Sequence, residues 1–199
     1  MAVLGNILNP SKEASNRRFT HRLRACLAGF IFLLLAINAP AQISREYQLK
    51  AVFLYNFAQF TEWPPDAFAD PQAPLVIGVL GRDPFGAYLD EAVRGEKING
   101  RPLIVQRYSG IQDVQNTHIL FISDSESKHL LPILASLQGR SILTVSDMED
   151  FVPRGGMVRF LTTNNKIQLK INVNAVKAAR LSISSKILRS AEIFPPAAK

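Results

Sequence analysis

Between Ser44 and Trp63 the chain places Phe53, Phe57 and Phe60 at i, i+4 and i+7, with Tyr47, Ala51, Leu54 and Ala58 alongside. That spacing predicts an amphipathic helix with a wide apolar face, stopped by Pro64-Pro65 because proline lacks the amide and disfavours helix in the residue before it. The aromatic stripe reads as core, with Trp63 the aromatic left partly exposed. Leu75–Leu80, bounded by Pro74 and Gly81, reads as a strand buried on both faces. A short helix from about Ala87 to Arg94 follows, then a polar turn over Gly95–Arg101 and a strand over Leu103–Arg107. His118–Ile122 and Ser141–Val145 are further strands. Between them Ser125–Leu137 reads as a helix with Leu130, Leu131, Leu134 and Leu137 inward and Gly139 just past its end. Met157–Leu161 and Ile167–Ile171 flank the loop Thr162–Lys166, whose asparagines tolerate positive φ, so this pair predicts an antiparallel hairpin completing one sheet edge. A last helix, Val173–Glu192, would put Val176, Ala179, Leu181, Ile183, Ile187 and Leu188 on one broad face.

Strands alternating with short helices point to right-handed crossovers. The expected fold class is therefore α/β: one domain, a mainly parallel sheet flanked by helices, with an antiparallel C-terminal hairpin. No linker, repeat or low-complexity stretch divides it.

The first forty residues follow another pattern. Lys12, Arg17, Arg18, Arg22 and Arg24, against the single acid Glu13, precede the apolar run Ala25–Ile37 and then the small residues Ala39 and Ala41. Basic, apolar and small zones in that order are those of an export signal. The run is about two-thirds of the ~20 residues that cross a bilayer, so residues 1–41 read as a cleavable signal peptide, cut before Gln42. Without it the net charge falls from +7 to +3, which removes the case for a nucleic-acid partner, and no basic run is interleaved with stacking aromatics. Cys26, the only cysteine, lies within the signal. Residues 42–199 would then be a periplasmic domain without disulfides, Cys-ligated zinc or a thiol nucleophile, held by its core alone.

Catalytic signatures are missing. The chain has no nucleophile elbow, phosphate-binding P-loop or zinc-protease helix, and Gly78, Gly81 and Gly86 miss the dinucleotide spacing. His118 and His129 lack the company of a metal site and read as structural or surface residues, so neither metal nor cofactor is expected. Two positional regularities remain. Loops after parallel strands would bring Arg82, Asp83, Phe85, Asp124 and Asp147 to one carboxyl edge, where open α/β sheets bind small ligands. The same aspartates and serines could instead only cap the following helices. The segment Asp150–Phe160 sets Phe151 among charges beside strand edges, and Phe151, Arg154, Met157, Arg159 and Phe160 could form a protein-docking surface; packing of that loop on the core is the other reading.

Seven segments in order carry a likeness: Leu49–Ala58 with Trp63-Pro64; Ile77–Gly81 with Asp83–Gly86; Gly100–Leu103; His118–Ile122; Leu143–Asp147; Gly155–Met157; and Ile183–Arg189. Together they resemble the YfiR-like (HmsC-like) periplasmic proteins over essentially all of the chain after the signal. The resemblance implies a dimer-forming α/β fold and a non-enzymatic regulator. Such a protein binds the periplasmic sensor portion of a membrane-bound diguanylate cyclase and represses it, lowering cyclic di-GMP and biofilm formation. The chain departs from disulfide-bearing members in having no cysteine after the signal. The competing expectation is a periplasmic small-solute-binding protein serving a transporter or sensor kinase; a hydrolase would need a nucleophile constellation that is absent.

Overall fold

The computed structural model describes residues 38–164 and 166–195, and the expected signal therefore lies almost wholly outside the described residues. The chain divides into two compact units after Ile43, and the fold below is that of Ser44–Lys199.

Helix α1 (Asn38–Phe60) covers most of the expected helix and ends three residues earlier than periodicity suggested. Thr61–Glu62 (β1) instead pairs antiparallel with Ser182–Ile183 (β9) before the prolines. The remaining strands are β2 (Leu75–Leu80), β3 (Lys97–Ile98), β4 (Arg101–Tyr108), β5 (Ile119–Ile122), β6 (Leu143–Ser146), β7 (Val158–Thr163), β8 (Lys166–Asn172) and β10 (Ala191–Phe194). They form one eight-stranded sheet in the order β10-β8-β7-β6-β5-β2-β4-β3. From β7 through β4 all neighbours are parallel; β8 runs antiparallel to β7, and β3 antiparallel to β4. The mainly parallel α/β sheet and its C-terminal hairpin are as the sequence implied.

Side chains alternate between two cores because successive Cβ atoms of a strand point to opposite faces. Leu75, Ile77, Val79, Ile119, Phe121, Leu143 and Val145 join Leu54 and Phe57 of α1 and Leu89 of α2 (Ala87–Val93) on one face. Leu80, Leu120 and Ile122 join Leu130 and Ile133 of α3 (Leu130–Ser136) on the other. A strand covered on both faces has no use for polar positions, which is why Leu75–Leu80 is buried at every residue.

Four expectations are corrected. The hairpin does not complete the sheet edge: β10 pairs parallel with β8 outside it. The Gly95–Arg101 turn contains β3, joined to β4 through Asn99 and Gly100, both at positive φ (52° and 83°), the Asn-Gly signature of a tight hairpin. Only Leu130–Ser136 of the Ser125–Leu137 segment is α-helical; Asp124–His129 winds as a tighter 3₁₀ helix, so Ile133 replaces Leu131 in the core and Leu131 is exposed. The final helix is broken into α4 (Val173–Ala178), β9, α5 (Ser185–Leu188) and β10. Its expected apolar residues are nevertheless buried or packed on the core, through turns and short strands rather than one helical face.

His118 anchors the start of β5. Its Nδ1 accepts a hydrogen bond from the Val76 amide (3.1 Å), its ring stacks on Phe68 (4.3 Å), and Trp63 donates to its carbonyl (3.2 Å). On Phe68 also rests the Arg101 guanidinium (3.8 Å), which ties down the Asp70 and Ala73 carbonyls. Burial, with Arg101's charge in the same direction and the Ala67 backbone opposing, lowers the His118 pKa to about 4. The unfolded chain therefore takes up a proton near pH 6.5 that the folded protein refuses. This contribution to stability is complete above that pH and is lost as the pH falls toward 4, about 2 kcal/mol by pH 5. Urea unfolding at pH 7.5 and 5 should show this fall in the wild type and not in His118→Phe. Equal falls in both proteins would place the titration elsewhere.

Candidate functional site

The parallel strands β2, β5 and β6 end side by side, so Arg82 and Asp83, Asp124, and Asp147 do gather at one carboxyl edge. What they do there differs from the expectation of open ligand-binding groups. Asp147 accepts from the Tyr47 hydroxyl (2.7 Å) and the Lys50 ammonium (2.8 Å), both from α1. Lys50 also pairs with Glu46 one turn earlier (2.6 Å), and Thr162 at the end of β7 donates to Glu46 (2.8 Å). The Lys50 ammonium lies 4.4 Å from the Tyr47 ring centre, and its side chain is only 2% exposed. This is a charge taken out of water and held by two carboxylates and a ring face, the condition under which a buried lysine remains tolerable. Burial and the adjoining Asp147 carboxylate push the Tyr47 hydroxyl pKa well above its usual value, so it is a hydrogen-bond donor throughout the physiological range.

Phe85 is part of the same structure rather than a ligand contact. It is buried, edge-on to Tyr47 (5.4 Å) and to Phe121 (4.8 Å). Asp83 accepts from the Phe85 amide (2.7 Å) and from Arg107 Nε (2.7 Å). Arg107 extends its other two nitrogens to Asp90 (2.6 and 3.1 Å) and one of them also to the Gly86 carbonyl (3.0 Å). That fork fixes the Asp83–Gly86 loop, and its hydrogen bonds hold the Asp90 carboxyl below the usual carboxylate range. Arg82 and Asp124 are exposed. Ser125 Oγ accepts from the Arg82 amide (2.9 Å) and Ser123 Oγ from the Ser125 amide (3.4 Å), so the serines of this edge act as local caps.

The docking segment is divided by burial. Phe151 is fully buried and Phe160 nearly so, the latter stacked on Phe57 (5.9 Å); neither is a surface residue. Arg154 is exposed and pairs with Asp150 (2.6 Å), Met157 is half-buried, and Arg159 is half-buried with its Nε lacking a hydrogen-bond partner among the described residues. His129 is exposed beside Glu126 (3.8 Å). The residue missed by sequence reasoning is Lys50. It lies at i+3 from Tyr47 and i−4 from Leu54, within the apolar stripe, and a lysine there needs a buried acid.

The seven matching segments fall on this framework. Trp63 braces β5, Asp83–Gly86 is the loop held by Arg107, Asn99-Gly100 turns β3 into β4, and Asp147 receives Lys50. A family model described as YfiR/HmsC-like matches residues 47–192. The chain belongs to the YfiR/HmsC-like family. The match runs from Tyr47 of the Lys50–Asp147 cluster to Glu192 within β10 and so takes in every strand of the sheet except the second half of β10. No individual curated relative matches the chain. YfiR/HmsC-like proteins are periplasmic regulators connected with cyclic di-GMP signalling, and the family implies interaction with the periplasmic domain of a membrane diguanylate cyclase. Among the described residues no helix of this YfiR/HmsC-like chain is long and apolar enough to cross a membrane.

Proposed function

We propose that the chain is exported, cut before Gln42, and acts in the periplasm as a non-enzymatic, homodimeric repressor of a membrane-bound diguanylate cyclase. The observation that carries this reading is the family match across nearly the whole sheet, from residue 47 to 192. The carboxyl edge supports it from the side of chemistry. Asp83 and Asp147 are engaged by Arg107, Lys50 and Tyr47, an arrangement suited to holding a surface rigid. Repression needs no reaction. A domain that binds one state of the cyclase's sensor more tightly shifts its population, by no more than that difference in affinity.

Deleting the gene should raise cyclic di-GMP and biofilm, and the tagged protein should bring a membrane cyclase out of solubilised membranes, identified by mass spectrometry. Unchanged cyclic di-GMP on deletion would overturn the assignment. Within the proposed docking segment the exposed cation is Arg154, whose surface pair with Asp150 contributes at most about 1 kcal/mol. Arg154→Glu is therefore expected to leave the unfolding midpoint nearly unchanged while loosening the cyclase complex. Undiminished recovery of the cyclase would remove Arg154, and with it this segment, from the interface. N-terminal sequencing of the protein from the periplasmic fraction should begin at Gln42; an intact Met1 terminus in the cytosol would leave it unable to meet its partner.

A further inference from the structure

Two cavities open at the opposite edge of the sheet, beside the amino ends of β5 and β6. One, of about 360 Å³, is apolar, walled by Leu134, Leu137, Met157, Ala175 and Ala178 with Thr144 and Gln138 as its polar groups. The other, of about 240 Å³, is polar, walled by Asp66, Asn116, Ser141, Arg140 and Arg180 among others. Gly139 lines both, and Ala179 and Arg180, consecutive in the chain, line one each. Gly139 adds no side chain to either wall.

We infer that the two cavities form one bipartite site for a small amphiphilic anion, a carboxylate on an apolar body of about eight to ten carbons. The apolar chamber falls within the size range of small-molecule sites, and its small walls, Gly139, Gly155, Ala175 and Ala178, leave the space that a chain would fill. The polar chamber supplies the head group's counter-charge. Arg140 gives one N–H to the Val114 carbonyl (2.8 Å), and Arg180 pairs with Asp66 (2.8 Å) and donates to Ser141 (3.4 Å). A guanidinium has five donors, so both arginines retain N–H groups for a carboxylate. The Arg180–Asp66 pair is more than half exposed at both ends, so it is a weak competitor for the ligand. With two arginines against one aspartate, the chamber favours an anion and rejects a cation. This site lies away from the carboxyl edge and is independent of the cyclase reading.

The test is calorimetric titration of the chain, expressed from its full gene and purified as the cell leaves it, with octanoate, octanol and octylamine as probes. Octanoate should bind at one site, with octanol at least about tenfold weaker and octylamine not at all. Arg180 holds a positive φ of 59°, a conformation glycine adopts freely, so Arg180→Gly removes the charge without endangering the fold. Arg180→Gly combined with Arg140→Gln should weaken octanoate about tenfold or more while leaving octanol unaffected. Ala178→Phe, at an exposed helix position, should fill the chamber and abolish binding of both. No heat from octanoate, equal affinity for octanoate and octylamine, or octanoate binding indifferent to these substitutions would each overturn the site.

Discussion

Asp147→Ala is expected to destabilise the fold by about 3–5 kcal/mol, far more than an ordinary carboxylate would cost, because of the charge it abandons. Lys50 has almost no access to water, and Asp147 is one of its two acid partners and the acceptor for Tyr47. Removing it leaves an ammonium facing Glu46 alone, at a site the solvent cannot reach, together with a hydroxyl that has lost its acceptor. Lys50→Met should be the milder loss. The methionine keeps much of the volume, Tyr47 still donates to Asp147, and the two carboxylates left without their cation are 16% and 29% exposed where the lysine was 2%, so water relieves part of the cost. The double variant should accordingly be more stable than Asp147→Ala alone, a coupling readable in a urea-unfolding cycle. Equal losses for the two single variants, or a loss below about 1 kcal/mol for Asp147→Ala, would mean that water reaches the ammonium. As the milder of the two single variants, Lys50→Met also serves to separate function from stability. If cyclic di-GMP rises in that strain while the protein's abundance is unchanged, the clamp between α1 and the sheet takes part in repression.

The sheet's parallel body was legible because buried strands such as Leu75–Leu80 and Ile119–Ile122 are unbroken apolar runs between turn residues. The C-terminal segment was not, because 3.6-residue and two-residue periods overlap in it. Leu181 and Ile183 are buried while Ser182 is exposed, an alternation that a helical reading absorbs. The choice is made by a partner about 120 positions away, β1, whose pairing with β9 and the bond from the Ser184 amide to the Phe60 carbonyl (2.8 Å) hold the chain extended. Arg180 turns the chain there at positive φ, which composition does not advertise in a residue other than glycine or asparagine. The carboxyl edge shows the same limit. Strand order told which loops meet, but the pairing of Asp83 with Arg107 depends on β4 lying against β2 in the register Val79↔Arg107, which becomes visible only in three dimensions. Lys50 was missed, although its helical neighbours mark it as a charge on the apolar face.

Phe151→Asp is the second large effect, and it distinguishes a docking residue from a core residue. Phe151 is completely buried in the cluster of Leu120, Ile122, Leu130, Ile133 and Met148. The Gly156 backbone closes over its ring, so that any Cβ at 156 would collide with it, and the Gly156 amide donates to the Phe151 carbonyl (2.9 Å). Truncating a buried phenylalanine to alanine costs about 3–5 kcal/mol, and an aspartate adds an unpaired carboxylate to the same cavity. For a domain whose whole stability is of the order of 5–15 kcal/mol, the expected product is a protein largely unfolded at 37 °C. A cyclase pull-down would then fail for lack of a fold, which is why Phe151→Asp alone says nothing about an interface. Phe151→Leu supplies the graded measurement, with a smaller fall in the unfolding midpoint and the cyclase still recovered. Gly156→Ala should lose about 1–3 kcal/mol by forcing the same ring aside. If Phe151→Asp instead melts like the wild type, the ring must lie on the surface, and the apolar half of the docking segment returns.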